Sequence, residues 1–119
     1  MVHGFRVLDN EIVAKGVARM VCHSTVAGTI RPGQFVNLEV PGDGSHLLRI
    51  PLSFSHADAN NLLIEFVFGI VGEGTRRLSG IAVGDESTLV GPSGRGWWLP
   101  RNGQRCLLVA GGKIGRAHV

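Results

Sequence analysis

Apolar residues in this chain come in short runs, each ended within a few residues by glycine, proline, asparagine or aspartate. The runs at 5–8, 17–22, 34–40, 47–54 and 62–71 are separated by Asp9-Asn10, Gly28, Arg31-Pro32-Gly33, Pro41-Gly42-Asp43-Gly44 and 58–61, and 87–90 forms another. Runs of this length bounded by turn residues are strands, and none carries the 3.6-residue period of a long helix. The pattern predicts a mainly β chain of six short antiparallel strands. Closing such strands into a small filled barrel removes the exposed edges of an open sheet, so a barrel is expected. With 119 residues there is material for one core, and 44% hydrophobic against 18% charged residues excludes a disordered tail. The 18 glycines follow no Gly-X-Y period, which excludes collagen.

Two segments depart from the β pattern. Residues 74–81 offer Thr75 as an N-cap, helix formers behind it and Gly80 as a stop, predicting one short helix. The run 105–110, apolar from Cys106 onward, is followed by Gly111-Gly112, the form of a buried parallel strand entering a nucleotide-binding turn. No apolar stretch approaches the roughly 20 residues needed to span a bilayer, and the N-terminus lacks a signal-peptide layout, so a cytoplasmic location and no membrane are expected. The net charge of +3 comes from 12 Lys+Arg and 9 Asp+Glu spread along the chain, without a basic run, which argues against nucleic acid. Cys22 and Cys106 sit far apart in apolar segments and read as buried free thiols. No histidines pair at metal-ligand spacing, none sits in a nucleophile setting, and no acidic pair suits acid–base work; neither a metal site nor a catalytic residue is expected.

Three stretches are candidates for ligand chemistry. Val71-Gly72-Glu73-Gly74-Thr75 leads from a strand into the short helix: its glycines permit close backbone approach, and free N–H groups at a helix start favour a phosphate. The same pentapeptide also reads as a plain strand-to-helix connection capped by Thr75. In Leu48-Arg49-Ile50-Pro51-Leu52-Ser53-Phe54, Pro51 cannot donate to a central ladder, so the strand belongs at an edge or beside a groove. There Arg49 would meet a phosphate and Ser53 a ring heteroatom, or else Arg49 is a solvated charge. Gly91-Pro92-Ser93-Gly94-Arg95-Gly96-Trp97-Trp98 reads as a turn with a tryptophan plugging one end, or as a loop beside a flat cofactor or partner.

Taken in order, Arg31-Pro32-Gly33-Gln34-Phe35-Val36, Arg49-Ile50-Pro51-Leu52-Ser53, Val71-Gly72-Glu73-Gly74-Thr75, Gly91-Pro92-Ser93-Gly94 and Leu107-Leu108-Val109-Ala110-Gly111-Gly112 resemble the ferredoxin reductase family of flavoproteins. Within that family the chain most resembles the electron transfer subunits of dihydroorotate dehydrogenase B. The resemblance implies a Greek-key β-barrel holding FAD at residues 1–103, with 104–119 opening an α/β NAD-binding domain. A [2Fe–2S] cluster would follow in the missing C-terminal part. It further implies electrons passing from an FMN-bearing dihydroorotate dehydrogenase catalytic subunit, as hetero-oligomeric partner, through the cluster and FAD to NAD in pyrimidine biosynthesis. Carried over by position, Arg49, Ile50, Pro51, Leu52 and Ser53 lie along the flavin. Val67, Phe68, Gly69 and Ile70 line it from the adjoining strand, and Gly74 and Thr75 take the pyrophosphate.

The family commonly writes Arg-Pro-x-Ser on that strand, whereas Ile50 precedes Pro51 here and the arginine stands one place earlier, on the opposite strand face. Two rivals follow: an NAD(P)H-dependent ferredoxin or sulfide oxidoreductase subunit, and a barrel that binds no flavin and serves as an interaction module. Residues 114–119 coincide with the translated start of a common sequencing adapter and are expected to derive from it, and the chain alone is expected not to reduce NAD.

Overall fold

Alternation decides which side of each strand is buried, and in this chain it selects one face throughout. The computed structural model describes residues 1–40, 48–96, 102–105 and 107. Among them are seven strands: β1 (Val2–Ala14), β2 (Val17–His23), β3 (Phe35–Val40), β4 (Leu48–Ser53), β5 (His56–Asp58), β6 (Leu63–Gly69) and β7 (Glu86–Ser93). A 3-10 turn covers Thr25–Gly28, and one helix, α1, covers Glu73–Ser79. On β2 the buried positions are Ala18, Met20 and Cys22; on β3, Val36, Leu38 and Val40; on β6, Ile64, Phe66 and Phe68. All of these but Val40, with Val7, Val26, Leu78 and Leu89, make one core, while the intervening residues are half-buried on the other face.

The strands form a single sheet in the order β4-β3-β7-β1-β2-β6-β5, and all six pairings are antiparallel. This corrects the expected closed six-stranded Greek-key barrel: the sheet is open, with β4 and β5 at its two ends and no ladder between them among the described residues. The two end strands follow one another in the chain. Past Phe54 the Ser55 N–H donates to the Glu65 carbonyl at 2.8 Å, so the chain leaves β4 and joins β6 at the far end. Edge pairing is discouraged on both sides, by Pro51 in β4 and by the three-residue length of β5, a strand that the sequence reading does not contain.

β1 is longer than the run at 5–8 suggests. Asp9-Asn10 is no turn; the strand passes through it with a register shift between Val7 and Asp9, and the turn falls at Gly16, whose φ is +72°. Asn10 is held in the strand because its side-chain amide donates to the carbonyls of Leu78, Ser79 and Ile81 at 3.1, 3.3 and 2.9 Å, closing the C-terminal end of α1.

The turn at 31–34 and the loop at 91–96 fold onto each other. The nearly buried Gln34 accepts from the Arg31 N–H at 2.8 Å and donates to the Gly94 carbonyl at 3.0 Å. A Cβ at Gly91 would stand 2.9 Å from Val36 Cγ1, and Gly91 has φ +157°, so glycine is required there on both counts. The Arg31 guanidinium covers Gly96, with Nε 3.1 Å from where a Cβ would be. Leu47, Trp97, Trp98, Cys106 and 108–119 lie outside the described residues, so the expected tryptophan plug and most of the expected 105–110 strand do too. Arg105 and Leu107 belong to no strand, and Leu107 is 86% exposed.

Candidate functional site

β4 presents its residues alternately to the core and away from it. Leu52 is buried, and Ile50 is half-buried against the core. Arg49 and Pro51 are exposed, and Ser53 is half-buried, opposite Phe35 of β3. Arg49 stands opposite Glu39, with Nη2 at 3.9 Å from Oε2, and the same carboxylate oxygen accepts from Thr88 Oγ1 at 2.7 Å. The strand thus directs Ile50 toward α1 and Arg49 toward the opposite face.

The strongest meeting of sequence-selected residues is Ile50 with Gly74. A Cβ added at Gly74 would lie 2.7 Å from Ile50 Cδ1 and 3.1 Å from Cγ1, so the absence of a side chain at 74 is what lets α1 start directly on β4. The helix begins differently from the expectation. Its N-cap is Gly72 rather than Thr75, and Thr75 occupies the third helical position. Its Oγ1 accepts from the N–H groups of Val71 and Gly72 at 2.9 and 3.0 Å and donates to the Gly72 carbonyl at 3.2 Å. One proton and two lone pairs are then committed, and the hydroxyl secures the turn instead of projecting from it. Gly80 ends the helix, as the sequence predicts.

The first N–H groups of α1 have no intrahelical partner and carry the positive end of the helix dipole. Beside them stands Glu73, 69% exposed at its side chain and paired with Arg77 at 3.0 Å. At this junction free N–H groups thus stand beside the Glu73 carboxylate, and β4 supplies the apolar Ile50 there.

β6 divides its candidates between two faces. Phe68 is 1% exposed and belongs to the core, whereas Val67 is half-buried on the other face and pairs with Arg19 of β2. Gly69 is buried opposite Val17, and Ile70 packs against the core while its N–H donates to the Gly16 carbonyl at 2.8 Å.

Farther along this face, Arg19 forms a network with Asp9, Glu11 and Glu65 at 3.3, 3.5 and 2.6 Å. Burial alone would raise the Glu65 carboxyl; hydrogen bonds from Ser55 Oγ at 2.6 Å and from Arg19 outweigh it and hold the group below the ordinary carboxylate value. The Arg19–Glu65 hydrogen bond raises the guanidinium in turn. Burial pushes the Cys22 thiol up to about 12. Cys22 is free, as expected, and no group of metal-binding side chains occurs among the described residues.

Two hollows lie elsewhere. One of about 400 Å³ is lined by Gly4, Phe5, Arg6, His23, Ser24, Thr25 and Glu86; the other, about 290 Å³, by Ala27, Ile30, Pro32, Phe54, His56, Ala57 and Ala59. Neither is lined by a residue singled out as a flavin contact. The sequence also missed the hydrogen bonds that Asn10 makes at the end of α1 and that Gln34 makes between the turn at 31 and the loop at 94; nothing local marks a partner 68 or 60 positions away.

No protein-family model matches the chain. It is 38% identical over 110 residues to the electron transfer subunit of dihydroorotate dehydrogenase B (NAD(+)) from Fusobacterium nucleatum, covering 90% of this chain and 42% of that protein. The subunit of the same name from Streptococcus pneumoniae strain R6 is 35% identical over 111 residues, covering 92% and 43%. The chain thus spans less than half the length of these relatives. Among solved structures, an NADH-dependent reduced ferredoxin-NADP oxidoreductase is 28% identical with a TM-score of 0.69, over 78% of this chain and 33% of that one. The ferredoxin reductase in carbazole 1,9a-dioxygenase, 21% identical, shows likeness of fold, with a TM-score of 0.73 over 88% and 32%. No helix among the described residues is long and apolar enough to cross a membrane. By relatives and fold together, the chain is a ferredoxin-reductase-type flavoprotein related to the electron transfer subunit of NAD-type dihydroorotate dehydrogenase B.

Proposed function

We propose that this chain is the FAD-holding part of an electron transfer subunit that receives electrons from an FMN-bearing dihydroorotate dehydrogenase catalytic subunit. In the whole protein, electrons pass by way of a [2Fe–2S] cluster and FAD to NAD, in pyrimidine biosynthesis. Residues 1–103 form the flavin-binding unit and 104–119 open the nicotinamide domain. The observation that carries the reading is the close junction of β4 with the start of α1 through Ile50 and Gly74, in a chain 38% identical to such a subunit.

FAD supplies the redox chemistry when bound, and the chain's residues hold and orient it. The N–H groups of Glu73, Gly74 and Thr75 would receive the diphosphate. Thr75 fixes the turn that aims them. Pro51 and Ser53 offer the outer side of β4, Leu52 and Phe68 support the strands from the core, Val67 stands on the outer face of β6, and the buried Gly69 and the core-packed Ile70 follow it at the end of that strand. Arg49 reaches the cofactor only by leaving Glu39, a loose contact at 3.9 Å that costs little to break.

Titrating FAD into the purified chain, followed by flavin absorbance and by quenching of Trp97 and Trp98, tests the reading. Saturable binding is expected. Thr75→Ala should weaken it and cost about 1 kcal/mol of stability, because two N–H groups at the helix start exchange their acceptor for water. A folded chain indifferent to FAD would overturn the proposal in favour of an interaction module. The oxidoreductase at 28% identity supports a second reading, an NAD(P)H-dependent ferredoxin oxidoreductase subunit. Reduction of the full-length flavoprotein by reduced ferredoxin, and not by dihydroorotate with the catalytic subunit, would select it.

A further inference from the structure

We infer that Ile50 is a positioning residue for the turn at 71–75, and through that turn for the phosphate end of a flavin; the second half rests on the flavin reading above. Ile50 lies against Gly74 so closely that a Cβ there would be 2.7 Å from Cδ1 and 3.1 Å from Cγ1. Isoleucine is stiff at χ1 and Ile50 is packed on the core, so Cδ1 can turn aside about χ2 while Cγ1, 3.1 Å from that point, stays in place as the wedge. Glycine is a poor helix residue, and Gly74 sits inside α1 without a positive φ, so the helix itself does not demand glycine there. The demand comes from Ile50. Thr75 Oγ1 ties Val71 and Gly72 while Ile50 stops Gly74, so the backbone of the turn is held at both places. Being uncharged, Ile50 contributes position and no attraction to an anion.

A double-mutant cycle on the full chain tests the wedge without any ligand. Gly74→Ala should lower Tm in the wild-type background and raise it in Ile50→Ala, where the collision is gone and alanine's helix preference prevails. Equal effects in both backgrounds would overturn the inference. FAD titration of the folded variants tests the second half. Ile50→Ala should weaken FAD by about tenfold and Ile50→Val, which keeps the branch at Cβ, by less. The dependence of affinity on salt should match wild type, since no charge has been removed. Unchanged affinity in Ile50→Ala, or an altered salt dependence, would overturn the positioning role. A wild-type chain that binds no FAD would overturn the flavin reading and this second half with it, while the thermal cycle still decides the wedge.

Discussion

At the scale of single residues, environment matters more than identity. Cys22 has the same thiol as any cysteine, but it faces the core at 0% exposure with its ionisation pushed up to about 12. In the native protein it should not react with a disulfide reagent at pH 8, and the reaction should appear in step with unfolding in urea. Rapid labelling of Cys22 without denaturant, followed by peptide mapping to separate it from Cys106, would contradict the buried position. Thr75 teaches the converse: a hydroxyl that the sequence offers either as a cap or as a ligand donor is used up by its own turn. Burial of Cys22 was legible because it lies in an apolar run. The commitment of Thr75 was not, since it depends on where the helix begins.

Between elements, long-range polar contacts decide what local signals leave open. Asn10 beside Asp9 has the composition of a turn, yet it remains in β1 because three carbonyls at the end of α1 need its amide. Asn10→Ala should destabilise the chain by about 1–3 kcal/mol, measured by denaturant unfolding, with the loss of protection in hydrogen exchange concentrated at residues 78–81. A change within about 0.5 kcal/mol would mean that water replaces the amide at no cost. Five of the expected strands coincide with observed ones with no end moved by more than three residues, because alternating burial is a local property. β1 ran longer, and β5 escaped notice because three residues carry too little pattern; it exists by pairing with β6.

For the whole molecule, the Arg19 network joins β1, β2 and β6, with Ser55, the residue just before β5. Glu65 is held below its ordinary value, so its contribution to stability is complete above the unfolded carboxylate range, about 4.3, and is lost as pH falls through its lower native value. Tm should therefore fall on acidification below about pH 4.5, and Ser55→Ala should make that fall smaller, because Glu65 then loses a bond that holds its native value down. Identical profiles for the two proteins would remove Ser55 from the network. The sequence by itself determined the β class, the strand faces, the edge position of Pro51, the glycine stop of α1 and the family, because alternation, turn chemistry and motif order are written in neighbouring residues. Only the tertiary structure decided that the sheet stays open, that Ile50 rests on Gly74, that Arg49 turns to Glu39 and that Thr75 faces inward. Each of those depends on how near two distant segments come, a distance set by packing of the common core.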